Sequence, residues 1–236
     1  MAFRHKAVKA TLDVGTAAEW NDDHIHDFTV EISETLLPAG VSLATTFDTA
    51  QTSGGTAPAW AMVSGHAFVV CNTGATTDQT SSMRLMLGGA VSNVTNADDL
   101  PILTAAVEIA AVHDAAGVAN SVVEFGFQDD SDALFTVNQH CAIFRFYNGD
   151  VYAVTGDGAA ETSTSLGARS QYAAYRIEFT NTQVKFFIDN MATPAATHTT
   201  NLPSADLTVK FSVRSKSNVD STLRVDAAAL TRLRKQ

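Results

Sequence analysis

Apolar and polar positions alternate with a period of two through most of this chain, and the cleanest case lies between residues 172 and 203. Tyr175, Ile177 and Phe179 alternate with Arg176, Glu178 and Thr180. After a turn at Asn181-Thr182, Val184, Phe186 and Ile188 alternate with Lys185, Phe187 and Asp189. Such alternation predicts two antiparallel strands that bury one face each, with a third strand following near His198.

Strand-like runs recur on both sides of this hairpin. They are Phe28 to Ser33, Leu36 to Phe47, Trp60 to Cys71, Ser82 to Leu87, Ile102 to Val112, Ser121 to Gln128, Cys141 to Tyr147, Asp150 to Thr155, Asp206 to Ser215 and Ser221 to Leu230. The alanines around residues 105–111 would tolerate a helix, but the short length and the neighbouring strands favour a strand. Asn148-Gly149 and Gly156-Asp157-Gly158 are tight-turn signals that imply antiparallel neighbours. About ten to thirteen short strands with regular turns predict an all-β, two-sheet antiparallel sandwich.

At 236 residues and 45% hydrophobic positions the chain can fill one sizeable core, and sandwiches of this length commonly form a single domain. We therefore expect a β-sandwich over residues 29–236, preceded by an extension over 1–28 that lacks a sustained period of two. No run approaches the roughly 18 apolar residues of a spanning helix. The first residues also lack the apolar stretch and small-residue site of a secretory signal.

The net charge of -10, from 25 acidic against 15 basic residues, argues against nucleic acid as a partner, because phosphate binding needs a basic surface. The acidic, lysine-poor composition suits a high-salt habitat, and equally an ordinary acidic protein. Cys71 and Cys141 each sit in an apolar run and form no metal or disulfide framework.

The hairpin pattern Y-x-I-E-F-T, turn, V-x-F-F-I-D-N resembles the back-sheet hairpin of concanavalin-like (laminin-G-like) jelly-roll domains. The order from Val122 to Leu166, with its E-F-G-F strand, aromatic strand, Asn-Gly turn and V-Y-A-V-T-G-D-G segment, is similar to the sandwich of tailed-virus tail-fibre, spike and capsid-surface proteins. His5-Lys6-Ala7 and Gly15 through His24 resemble the short leader of such virion proteins. The resemblance implies a non-enzymatic virion structural protein, a capsid decoration, turret or tail-fibre component, located on the particle surface and extracellular once released. Its implied partners are other virion subunits, further copies of itself and a host-surface glycan, with no membrane insertion. In that reading the 1–28 segment docks the sandwich on a neighbouring subunit through Trp20, Asn21, Asp22, His24 and Phe28. Covering the domain's own sheet edge is the competing role. A free-standing lectin-like carbohydrate-binding module is the alternative function, and a glycoside hydrolase a further one.

Candidate chemistry is sparse. A retaining glycosidase needs two carboxyls about 5 to 5.5 Å apart, and the glucanase pattern E-x-D-x-x-E is missing. Glu124 shares a predicted strand face with Gln128, an amide, and Glu178 lies in the Tyr175 hairpin. On these grounds we expect no enzymatic activity and no catalytic residue. Asp129, Asp130 and Asp132 form an acidic loop of the kind that holds calcium, the one cofactor considered, with an exposed acidic turn as the competing reading. Asp22, His24 and His26 share a face if extended, but lack further ligands in fixed geometry. Trp60, Tyr147, Tyr152 and Tyr172 are aromatics for which sheet packing is the default, and no sugar-binding residue is assigned. His66, His113, His140 and His198 are single histidines, read as surface or satisfied ones.

Overall fold

The structure is a computed structural model that describes residues 25–30, 47–48, 56–63, 66–73, 77–85, 95, 97–109, 122–129, 135–168, 170–216 and 221–233. Two antiparallel sheets face each other as a concanavalin-like jelly-roll sandwich, and a short 3-10 turn at Ala97–Asp99 is the one helical element among the described residues.

In chain order the strands are β1 (Ile25–Val30), β2 (Phe47–Asp48), β3 (Thr56–Val63), β4 (His66–Asn72), β5 (Thr80–Leu85), β6 (Ile102–Ile109), β7 (Val123–Gln128) and β8 (His140–Tyr147). They continue with β9 (Asp150–Asp157), β10 (Glu161–Ala168), β11 (Tyr172–Phe179), β12 (Val184–Ile188), β13 (Ala196–His198), β14 (Thr208–Arg214) and β15 (Thr222–Leu233). One sheet of eight strands runs β13-β12-β11-β6-β15-β4-β3, with β1 also paired to β15. The other, of seven, runs β10-β9-β8-β7-β14-β5-β2. The last strand is long enough to serve two neighbours on one side. Its first residues pair with β4 and its later ones with β1, from Ile25↔Leu233 to Val30↔Ala228.

The expected hairpin is present, with Tyr175 opposite Ile188, Ile177 opposite Phe186 and Phe179 opposite Val184. Phe187, on the outward side, is nevertheless buried, because the Arg176 guanidinium lies 3.8 Å over its ring. The run from Trp60 to Cys71 holds two strands, β3 and β4, folded back on each other with Val63 opposite His66. The 105–109 segment is strand, as its setting predicts.

The core is aromatic on both sides of the interface. Phe125 meets Tyr175 at 5.1 Å, Phe127 meets Phe179 at 5.3 Å and Phe144 meets Phe186 at 5.4 Å, all close to edge-on. Edge-to-face packing suits the ring quadrupoles, and each fully buried ring adds about 1.5–3 kcal/mol through the area it removes from water. Because β7, β8 and β14 direct their odd- or even-numbered apolar residues into this core, their remaining side chains must stand on the opposite face of the seven-stranded sheet.

Candidate functional site on the outer face of the seven-stranded sheet

Strand alternation and register place a line of polar residues across that outer face. Ser212 on β14 stands beside Glu124 on β7, which stands beside Arg145 on β8, then Tyr152 on β9 and Ser165 on β10. A second line runs Thr208, Gln128, Cys141, and between the two Lys210 lies next to Gly126. Outer-face polar residues are ordinarily wet. Here Glu124, Gln128, Arg145, Thr208 and Lys210 are each only 1% exposed.

Arg145 organises the centre. Its Nε donates to Glu124 Oε1 at 2.6 Å, while Nη1 and Nη2 donate to Glu161 Oε2 and Oε1 at 2.9 and 3.1 Å, a bidentate fork. Burial alone would lower the guanidinium's pKa, but Glu124 and then Glu161 outweigh it and hold the group above its ordinary value. Glu161 Oε1 also accepts from the Asn138 amide at 3.1 Å, and the Thr136 carbonyl accepts from Arg145 Nη2 at 3.5 Å. The 135–139 segment is thereby tied across the face. Arg214 reinforces it with its guanidinium 4.5 Å over the Phe135 ring.

Two neighbouring groups are left wanting. Neither Oε1 nor Nε2 of Gln128 has a hydrogen-bond partner among the described residues, and the Ser212 hydroxyl, fully buried, has none either. An unmet buried polar group costs about 1–3 kcal/mol, so a surface selected for stability alone would replace these side chains. Between Glu124 and Gln128 the sheet carries no side chain. Gly126 has φ +138°, and a Cβ there would fall 2.5 Å from the Ala142 carbonyl oxygen and 2.7 Å from Ile177 Cδ1.

Beside the polar floor lies a small apolar cluster of Cys141, Ile143 and Val154, on which Tyr152 packs. Burial raises the Cys141 thiol, and that of Cys71 in the main core up to about 12, so both are inert buried thiols.

The structure brings together Glu124, Gln128, Tyr147 and Tyr152 from the residues singled out in the sequence. Glu178 lies on the other sheet beside Arg176, at 3.2 Å, away from Glu124. Asp129 follows β7, and its amide donates to the His140 carbonyl at 2.9 Å; Asp130 and Asp132 lie outside the described residues. Among the described residues no three His, Cys, Asp or Glu side chains gather to hold a metal ion. Trp20, Asn21, Asp22 and His24 lie outside the described residues too, and Phe28 sits in β1 opposite Leu230 of the same chain. Tyr172, 49% exposed, donates its hydroxyl to Asp226 at 2.8 Å on the eight-stranded sheet. Arg145, Glu161 and Lys210 escaped the sequence reading. The signal for Arg145 was available, since a lone arginine inside CAIFRFY has to find a carboxylate on a paired strand.

No family model matches this chain, and no curated protein matches its sequence. Solved structures do match its fold. The carbohydrate recognition domain of Emp46p superposes with a TM-score of 0.57 at 8% identity, over 86% of this chain and 95% of that one. Alginate lyase A1-II', a member of polysaccharide lyase family 7, gives 0.56 at 7%, over 81% and 96%. The Bacillus licheniformis β-glucanase gives 0.51 at 12%, over 84% and 96%. At such identities the likeness shows the fold. It also corrects the expectation of a chain without enzymatic activity, since several structures sharing this sandwich are alginate lyases and one is a glucanase. That expectation leaned on the missing E-x-D-x-x-E pattern. A lyase cleaves by elimination and has no need of a hydrolase's carboxyl pair, so the missing pattern excludes much less than supposed.

Proposed function

We propose that the chain engages a polysaccharide across the outer face of its seven-stranded sheet. The observation that carries this reading is the line of polar and aromatic side chains that runs across that face from the Glu124–Arg145–Glu161 network to Tyr152 and the exposed Ser165. A sugar hydroxyl both donates and accepts, so it can pair with the exposed Ser165 hydroxyl and with the Glu161 carboxylate at the rim of the network. The fold adds support, because its comparators include proteins described as a carbohydrate recognition domain, alginate lyases and a glucanase. For cleavage of the bound chain, Glu161, which Arg145 orients and which is 12% exposed, and Tyr152 beside Arg145 are the groups nearest a ligand. Affinity electrophoresis in gels containing alginate or β-glucan, with an assay for new chain ends, tests the reading. Retardation by at least one polymer is expected, and free migration in both would refute it.

A second reading concerns where the chain works. The resemblance of Gly15 through His24 to a virion leader favours a place on a virus particle, with several copies presenting the sandwich to a host-surface glycan. Light scattering with and without residues 1–27 tests it: a defined oligomer that dissociates without the leader supports a particle-building role, and a monomer in both forms counts against it.

A further inference from the structure

We propose that Tyr147 and Tyr152 form a stacking subsite for a pyranose ring at the open end of the outer face; this rests on the reading of that face as a polysaccharide site. The two rings are parallel, with centroids 4.3 Å apart and an interplanar angle of 9°. Tyr152 is anchored on the Cys141, Ile143 and Val154 cluster. Tyr147, stacked on it, adds nothing to that cluster and remains partly exposed. The pair is set by the hairpin turn between β8 and β9, where Asn148 and Gly149 take φ of 52° and 80°, and a Cβ built on Gly149 would meet no atom within 4 Å. The turn is therefore open around Gly149, and both rings remain partly exposed.

The surroundings select a sugar over other ligands that stack. Tyr152 stands in register with Arg145 on one side and the exposed Ser165 on the other, and Tyr147 stands opposite Asp150. A pyranose presents a face of C–H groups to an aromatic ring and a rim of hydroxyls, for which the Ser165 hydroxyl and the Asp150 carboxylate supply partners. A nucleotide base would also stack, but its phosphate would meet Asp150 on a chain of net charge -10. Two tyrosines held against each other lose little side-chain freedom on binding, so the contact energy is largely retained.

The test uses the full chain and native gels containing graded alginate or β-glucan. For whichever polymer retards the wild type, Tyr147→Ala should weaken binding about tenfold, the size of one lost aromatic contact, whereas Tyr147→Phe, which keeps the ring, stays close to wild type. Wild-type affinity in Tyr147→Ala would overturn the subsite and leave the wider face standing. Retardation of the wild type by neither polymer would overturn both. Should Tyr147→Ala fold poorly, the tyrosine difference absorbance of the wild type on titration with the retarding polymer decides: a perturbed spectrum supports stacking, and a flat one refutes it.

Discussion

Arg145 Nε and Glu124 Oε1 lie 2.6 Å apart, each side chain 1% exposed, on the side of the sheet that faces away from the core. An ion pair so deeply placed is held because each charge would be far more costly alone. Removing one partner as Arg145→Ala strands Glu124 and Glu161 and should cost about 3–5 kcal/mol in urea unfolding. Arg145→Met together with Glu124→Gln should cost less than the sum of the two single changes, because the buried Glu124 charge leaves with its partner and only Glu161, 12% exposed, keeps an unpaired charge. Additive losses in that cycle would show that the pair is uncoupled.

His198 joins the two sheets at their other edge. Its Nδ1 lies 2.9 Å from the Thr155 hydroxyl and its Nε2 3.0 Å from that of Thr164. The Thr155 hydroxyl also lies 3.3 Å from the Thr200 carbonyl, to which it can donate, so both ring nitrogens of His198 have a hydroxyl partner in either neutral tautomer. Burial lowers the pKa of His198, which means that the unfolded chain binds the proton more readily than the fold. Its contribution is fully present above the unfolded value of about 6.5 and falls away as the pH drops below it. Urea unfolding between about pH 5 and pH 8 should show this loss, and His198→Gln, which keeps both bonding roles without titrating, should flatten it. A wild-type profile as flat as the variant's would contradict the assignment.

Gly126 lies between Glu124 and Gln128 in β7, packed against the Ala142 carbonyl and Ile177. With φ of +138° and a Cβ that would overlap the Ala142 carbonyl, Gly126→Ala should destabilise by about 1–3 kcal/mol or more. Thermal melting measures it, and an unchanged midpoint would show that the strand can relax there.

Much of this architecture is legible in the chain because one physical signal, alternation, decides both strand and face. It predicts the strands of Tyr175 and Val184 with the faces they bury, and it puts Glu124 and Gln128 on one side of β7, where the structure has them. It does not show which strands become neighbours across a sheet. Glu124 and Arg145 are 21 positions apart and Arg145 and Glu161 are 16, so their union depends on the β7-β8-β9-β10 order and is invisible to local pattern. For the same reason Glu178, an equally plausible acid by spacing, ends on the opposite sheet. The fold class was thus accessible and the site was half accessible. The expectation against catalysis fails because the absence of one hydrolase motif does not exclude the other chemistries found on this sandwich.

The Gln128 amide is 1% exposed and meets no partner among the described residues, so Gln128→Leu should stabilise the fold by about 1–3 kcal/mol by removing the unmet groups. Urea unfolding measures it, and an unchanged midpoint would show that those groups are not unmet in solution. The polysaccharide reading is tested where a ligand can reach the face, at Glu161, which is 12% exposed and paired with Arg145. The most direct measurement is the affinity of wild type and Glu161→Gln for alginate and β-glucan, read in the same gels beside their unfolding midpoints. Retardation of the wild type that is weakened in a folded Glu161→Gln is the predicted result; a wild type that neither polymer retards, or a Glu161→Gln that binds as tightly, would contradict the account.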